Sequence, residues 1–109
     1  MNPEQQRIAI AEACGWKFIP EYYHGEDQPP EFTTVTPDGK HLCGYYPDYL
    51  NDLNAMHGAV ETLRGKNGPQ WFDFQRILMI ECGSWMNCIQ ASSAQRAEAF
   101  LKTLNLWKP

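Results

Sequence analysis

The most regular alternation of apolar and polar residues in the chain lies between Pro47 and Leu63. Five apolar side chains there are spaced by three or four positions: Leu50, Leu53, Met56, Val60 and Leu63. This spacing is typical of an α-helix that buries one face. Pro47 and Asp48 suit a helix start, and Gly65 suits a helix end. The pattern therefore predicts a central helix over residues 47–63.

The chain start predicts a helix followed by a strand. Pro3–Cys14 follows Asn2, whose side chain can cap the first turn, and it stops before Gly15. Trp16–Pro20 is short, aromatic and β-branched, which favours a strand.

The C-terminal part predicts a helix that Ser92 or Ser93 caps. Its expected inward-facing residues are Ala97, Phe100, Leu101 and Leu104. Glu98 and Lys102 are four positions apart, which favours an ion pair on the helix surface.

Two interpretations compete for Pro69–Gly83. Pro69 and Gly83 suit the two ends of a helix, and four apolar residues fit the helical period: Trp71, Phe74, Leu78 and Cys82. The apolar run Ile77–Ile80 also fits a buried strand. We favour the helix because a segment of this length is long for a strand.

The remaining segments predict strands, a turn and a loop. Phe32–Thr36 reads as a strand, and Pro37–Lys40 has the composition of a turn. His41–Tyr46 continues as a third strand after that turn, which gives an antiparallel hairpin. Ser84–Ala91 alternates and predicts a strand, whereas Glu21–Glu31 contains Gly, two Pro and several charges and predicts a loop.

These elements predict an α+β fold, with helices packed on both faces of a small, mainly antiparallel sheet of three or four strands. The chain has 109 residues, which suits a single domain over residues 1–109. Apolar residues make up 43% and aromatic residues 13%, which is enough to build an ordinary core.

Charge and cysteine usage narrow the environment and the partners. The net charge is −4 and the basic residues are dispersed, which argues against binding to nucleic acid. The N-terminus lacks the pattern of a secretory signal, and no window approaches the ~20 apolar residues of a membrane-spanning helix. The 4 cysteines have no CxxC spacing. We therefore expect a cytoplasmic protein with reduced thiols that does not enter membranes.

Three blocks of the sequence resemble the phage ABA-sandwich domain family. They are "RIAIAEACGWKF" near the start, "PDYLNDLNAMHGAVETL" in the middle and "ASSAQRAEAFLKTLNLW" at the end. The resemblance implies a helix–sheet–helix sandwich and an origin in a phage or prophage, and it supplies no catalytic residues. The chain departs from the family at "CGW", where "LGW" is more usual, a change that we interpret as a core substitution.

Candidate metal ligands and nucleophiles have weak spacing. His41 and Cys43 share one face of a predicted strand, and His57 follows on the central helix, but the ligand pairs that mark zinc sites are absent from the sequence. Each cysteine could pair with His24, His41 or His57, yet no cysteine lies at a helix start that would activate its thiol.

Candidate carboxylates and anion sites are no stronger. Asp48 and Asp52 suit the positive end of a helix dipole, and Asp73 and Glu81 lie roughly 12 Å apart along a helix. The loop "RGKNG" departs from the phosphate-binding pattern. We therefore predict no catalytic residues, no metal site and no cofactor.

One face of the central helix is unusual for a solvated surface. Opposite its apolar stripe lie Asn51, Asn54, Ala55, Gly58 and Thr62, which are small and uncharged. A solvated face more often carries Glu, Lys or Arg, whereas small residues let another backbone approach. The alternative is that this face is only solvated. Tyr residues suit recognition surfaces, and Tyr46 precedes this helix, as one of the pairs Tyr22-Tyr23 and Tyr45-Tyr46.

We therefore expect a non-enzymatic phage or prophage accessory protein that acts by binding a host or phage protein, including proteins of host defence, or a second copy of itself. The alternative is an oligomeric small-molecule binder that sequesters a host signalling nucleotide. Tyr46, Asn51 and Asn54 would then recognise the base by stacking and amide hydrogen bonds.

Overall fold

The computed structural model describes residues 1–21, 31–42, 44–66 and 68–109. In these residues the chain forms α1 (Pro3–Ala13), β1 (Lys17–Glu21), β2 (Glu31–Val35), β3 (His41–Leu42), α2 (Leu53–Lys66), α3 (Gly68–Cys82), α4 (Trp85–Ile89) and α5 (Ser93–Thr103). The predicted loop Glu21–Glu31 falls on residues outside the described ranges, except for its two end residues, which belong to β1 and β2. The α+β class and the antiparallel sheet are confirmed.

The helices α1 and α5 begin with the same reciprocal capping arrangement. The Asn2 side chain accepts from the Gln5 backbone N at 2.8 Å, and the Gln5 side chain accepts from the Asn2 backbone N at 3.1 Å. Ser92 and Gln95 repeat this exchange at 3.1 and 2.9 Å. Each exchange satisfies two backbone N–H groups that helix geometry leaves without partners. The predicted caps at Asn2 and Ser92 are confirmed.

The central helix α2 begins later than the sequence pattern predicts. The Asp52 carboxylate accepts from the backbone N–H groups of Asn54 at 3.0 Å and Ala55 at 3.3 Å, so Asp52 caps the helix. Residues 48–52 form a turn in which the Asp52 backbone N donates to the Asp48 carbonyl at 2.8 Å. The prediction of a helix start at Pro47 is therefore wrong.

This later start changes the apolar stripe of α2. Leu50 precedes the helix, and Leu53 is 42% exposed at its first position. The buried residues of α2 are Met56, Ala59, Val60 and Leu63. The C-terminal part of the predicted stripe thus forms the core contact, with Ala59 added to it.

The segment Pro69–Gly83 is helical in the structure, as favoured, but Ser84–Ala91 is not the predicted strand. The Ser84 hydroxyl accepts from the Asn87 backbone N at 3.2 Å and caps the five-residue helix α4. Gly83 has a φ of +84°, which lets the chain reverse between α3 and α4. The alternating pattern misled because it does not match the burial of the residues in this helix: Cys88 is buried, while Met86 and Ile89 are exposed.

The sheet has the strand order β1-β2-β3 with antiparallel pairing throughout. Lys17 lies opposite Val35 in β2, and Val35 lies opposite His41 in β3. The predicted turn over Pro37–Lys40 is confirmed, and Gly39 adopts a φ of +96° within it. The buried Thr34 hydroxyl donates to the Tyr45 carbonyl at 2.5 Å, which fixes the chain beyond the short third strand.

The helices pack mainly on one another, and α3 against α5 is the largest helix contact. The fully buried side chains include Phe74 of α3 with Phe100 and Leu101 of α5. Both α1 and α2 also pack on α5, and α1 is the helix that makes the main contact with the sheet, through β1.

We expect Asp52→Ala to lower the free energy of unfolding by about 1 kcal/mol, because two backbone N–H groups of α2 lose their acceptor. Urea unfolding followed by circular dichroism measures the change. Asp73→Ala is the matched control, since Asp73 makes only an exposed pair with Arg76 at 3.3 Å; its loss costs about 0.5 kcal/mol or less. Equal effects of the two variants would contradict the capping role of Asp52.

Candidate functional site

The six residues predicted to form a binding surface lie along α2 and just before it: Tyr46, Asn51, Asn54, Ala55, Gly58 and Thr62. Asn54, Gly58 and Thr62 are four positions apart, so they follow one side of the helix. Asn51, Asn54 and Gly58 are exposed, whereas Tyr46, Ala55 and Thr62 are half-buried. We call Asn54, Gly58 and Thr62 the α2 strip.

Three of the six residues have structural partners. The Asn51 amide donates to the Asp48 carboxylate at 3.0 Å, and Thr62 donates to the Ala59 carbonyl at 2.6 Å. The Tyr46 ring packs edge-on against Phe18 with centroids 5.2 Å apart. Tyr46 and Asn51 are therefore occupied by contacts within the fold, and Asn54 and Gly58 form the open centre of the predicted surface.

The hydrogen bond from Asn51 has an electrostatic consequence. It lowers the pKa of the Asp48 carboxyl, with a smaller contribution from the positive charge of Arg7, whose guanidinium lies 3.5 Å away. Arg7 lies on α1, so this ion pair also connects α1 to the turn that precedes α2. Asp48 therefore has a structural role in holding this turn against α1.

A concave apolar site lies where α2, α3, α4 and the first turn of α5 meet. We call it the α2–α4 groove, and its volume is about 400 Å³. Its floor consists of buried side chains: Val60, Phe74, Leu78 and Cys88. Trp71 and Ile89 form its walls, and the Trp71 ring lies nearly parallel to that of Phe74 at a centroid distance of 6.2 Å. Ile89 is 61% exposed, so one wall combines an apolar side chain with access to solvent.

Four polar residues complete the lining: His57, Glu61, Gln75 and Arg96. The Glu61 carboxylate lies 3.5 Å from the Arg64 guanidinium, which is 5.5 Å from the centre of the Trp71 ring. Arg96 donates through Nε to the Ala91 carbonyl at 3.2 Å and through Nη2 to the Cys88 carbonyl at 3.1 Å. Arg96 thus caps the C-terminal end of α4 and holds that helix beside the groove.

The groove and the α2 strip meet on α2. Glu61 lines the groove and follows Gly58 by three positions, so the two residues lie one helical turn apart on neighbouring sides of the helix. The sequence analysis located the strip but missed the groove, because Trp71, Phe74 and Leu78 had the spacing of core residues. Arg96 on an otherwise inward-facing part of α5 was the available signal.

A charged cluster joins α3 to α5 away from the groove lining. Lys102 Nζ lies 2.5 Å from Glu81 Oε1 and 3.8 Å from Glu98 Oε1, and the Trp107 ring centre is 5.6 Å from it. Burial raises the pKa of Glu98, and the negative charge of Glu81 raises it further. The hydrogen bond to Glu81 raises the pKa of Lys102. The predicted pair of Glu98 and Lys102 is confirmed, with Glu81 as a third member.

The described residues contain no group of three or more His, Cys, Asp or Glu side chains that could hold a metal ion. His41 and His57 are exposed, and Cys43, His24 and the Tyr22-Tyr23 pair lie outside the described ranges. Burial raises the pKa of the Cys82 thiol, which is the opposite of the shift that activates a nucleophile.

The candidate carboxylates have structural roles as well. Asp52 caps α2, Asp73 pairs with Arg76, and Glu81 pairs with Lys102. Within the same residues, no helix combines the length and the apolar character needed to cross a bilayer.

Gly58 and Gly83 provide a matched pair of substitutions. A Cβ at either position meets no atom within 4 Å, but Gly83 has a φ of +84°. Gly58→Ala should raise the free energy of unfolding by up to about 1 kcal/mol, because Ala is the better helix former. Gly83→Ala should lower it by about 1–2 kcal/mol, because a side chain strains that conformation. Urea titration measures both changes. A loss of stability in Gly58→Ala that depends on protein concentration would show instead that a second copy packs on the strip.

The raised pKa of Glu98 fixes the direction in which the stability of the fold changes with pH. The folded state favours the protonated carboxyl, so stability falls as pH rises from the ordinary Glu value of 4.5 through the raised value. Glu98→Gln should therefore increase the melting temperature relative to the natural chain at pH 7, and the difference should shrink toward pH 4. Lys102→Met is the control. This variant removes the attraction to Lys102 but keeps the repulsion between Glu81 and Glu98. Its stability should therefore fall more steeply with rising pH than that of the natural chain. A pH-independent effect of Glu98→Gln would contradict this assignment.

We compared the chain with models of known families, with curated proteins and with solved structures, and none of them matched. The resemblance to the phage ABA-sandwich domain family therefore stays a prediction from three sequence blocks. The function has to be argued from the surfaces of the fold.

Proposed function

We propose that the protein acts by binding another protein and catalyses no reaction. The observation that carries this proposal is the outward side of α3, where Phe72, Met79 and Ile80 are 69%, 42% and 71% exposed. These residues recur at helical spacing on one side of α3, while Phe74 and Leu78 face the core. We call Phe72, Met79 and Ile80 the α3 outer face.

The composition of this face fits a protein interface. Aromatic residues and Met are enriched in interfaces, and an apolar centre with a polar border is the usual arrangement. Arg76 is four positions from both Phe72 and Ile80, so it lies between them on this face, where it pairs with Asp73 at 3.3 Å. Burying Phe72 and Ile80 against a partner would contribute about 1.5–3 kcal/mol each before the entropic cost of association.

The resemblance to phage ABA-sandwich proteins supports a more specific form of this proposal. The partner is then a host protein, including a protein of host defence, and the setting is the cytoplasm of a bacterial cell. A second copy of the chain is the other protein partner that the α2 strip fits, because small residues such as Gly58 let backbones approach closely.

A second candidate function is the binding of a small molecule, such as a signalling nucleotide held by an oligomer. The α2–α4 groove supports this candidate, since its volume of about 400 Å³ falls among those of ligand pockets. Tyr46 and Asn51 support it less than the sequence analysis expected, because their side chains already contact Phe18 and Asp48.

The first experiment compares three forms of the protein: the natural chain, Ile80→Asp and Gly58→Arg. Immobilised protein captures a partner from host lysate, and affinity is then measured with the purified partner. Ile80→Asp should weaken binding by at least about tenfold, because it replaces a buried apolar contact with a charged carboxylate that must be desolvated. Circular dichroism and melting temperature confirm that each variant is folded.

The Gly58→Arg variant identifies the surface. Binding that survives Gly58→Arg but not Ile80→Asp assigns the partner to the α3 outer face. The reverse result, or a change of oligomeric mass in Gly58→Arg by native mass spectrometry, assigns it to the α2 strip. Equal affinity of all three forms contradicts both surfaces.

A further inference from the structure

We infer that the α2–α4 groove binds small organic anions that carry an apolar body, with Arg96 as the group that receives the anionic end. This inference rests on the second candidate function, because it takes the groove to be a ligand site. It adds the chemical class of the ligand, which the apolar lining alone does not specify.

The first argument is the charge of the lining. Glu61 is compensated by Arg64 at 3.5 Å, so this pair contributes little net charge to the groove. Arg96 makes no salt bridge with any carboxylate of the described residues, although the chain as a whole has a net charge of −4. The groove therefore carries a positive charge that no carboxylate of the described residues pairs with, on a protein of net charge −4, and this charge favours anions there.

The second argument is the fixed position of Arg96. Its Nε and Nη2 donate to the carbonyls of Ala91 and Cys88, which carry no formal charge, so no carboxylate within the described ranges neutralises the guanidinium. Nη1 makes neither of these bonds, and Arg96 is a half-buried residue of the lining. A guanidinium held in this way loses little rotamer freedom when an anion binds, and charge-assisted hydrogen bonds are the stronger kind.

The third argument is the shape of the apolar part. Val60, Phe74 and Leu78 form a buried floor, and Trp71 presents a ring wall against which a flat or aliphatic body can pack. A volume of about 400 Å³ accepts a body of a few rings or a medium alkyl chain. A purely hydrophilic anion would leave this floor in contact with water, so the favoured ligand combines both parts.

Three probes of nearly equal shape test the charge requirement on the natural chain. They are 4-phenylbutanoate, its neutral amide 4-phenylbutanamide and the cation 4-phenylbutylamine. Amide chemical shifts in heteronuclear NMR, followed at millimolar probe concentrations and low salt, locate and quantify binding. The carboxylate should bind at least about tenfold more tightly than the amide, with the amine weakest, and the shifts should concentrate at Trp71, Leu78 and Cys88.

Variants then test the location. Ile89→Asp places a negative charge on the groove wall and should weaken carboxylate binding by at least about tenfold. Ile19→Asp is the control, because Ile19 is an exposed apolar residue on β1, away from the groove lining, and this variant should bind as the natural chain does. Arg96→Gln should reduce the affinity for the carboxylate to that for the amide. The three-probe comparison on the natural chain does not depend on whether this variant folds.

The outcomes distinguish a failure of the anion assignment from a failure of the small-molecule function. If the amide binds in the groove as tightly as the carboxylate, the anion assignment is overturned while the groove remains a ligand site. If none of the probes shifts the groove amides, both the anion assignment and the small-molecule function are overturned. Carboxylate binding that Ile89→Asp does not weaken would place the site elsewhere and would also overturn the inference.

Discussion

The packing of α3 against α5 is the contact on which the rest of the structure depends. Phe74, Phe100 and Leu101 are almost completely removed from water between these two helices. A side chain of this size contributes about 1.5–3 kcal/mol when buried, so this contact outweighs the exposed ion pairs of the same helices. Both α1 and α2 are then placed by packing on α5, and the sheet joins the helices through α1.

This central contact also leaves two different surfaces of α3 uncovered. One side of α3 packs on α5. The surfaces of α3 on either side of this contact do not pack on α5. Toward α2 and α4 this surface forms the groove, whose depth depends on the short helix α4 turning back at Gly83. On the opposite side, Phe72 and Ile80 remain at the surface because no other element of the described fold covers them. A macromolecule and a small molecule could thus be bound at separate places on one helix.

The sequence predicted those parts of the fold in which local and tertiary preferences agree. Asn2 and Ser92 are residue types that cap helices, and each is followed three residues later by a Gln that completes the cap. The N-terminal ends of α1 and α5 could therefore be predicted directly from the sequence. The start of α2 could not, because Pro47 and Asp48 suit a helix start as well as Asp52 does, and only the turn at Asp48 decides between them. The pattern in Ser84–Ala91 was ambiguous for a related reason: a five-residue helix is too short to show its period. The groove was missed because residues from four helices form it, and the spacing of its apolar residues along α2 and α3 is that of an ordinary core.

The shortness of α4 has a consequence for how the groove behaves over time. A five-residue helix has few internal hydrogen bonds, so its backbone should open more often than that of α3 or α5. Arg96 restrains this opening from outside the helix by holding the Cys88 and Ala91 carbonyls. The wall that α4 forms is thus the part of the groove whose local unfolding requires the least free energy. Amide hydrogen exchange in α4 would slow whenever a ligand occupies the groove, which makes this helix an internal reporter of occupancy.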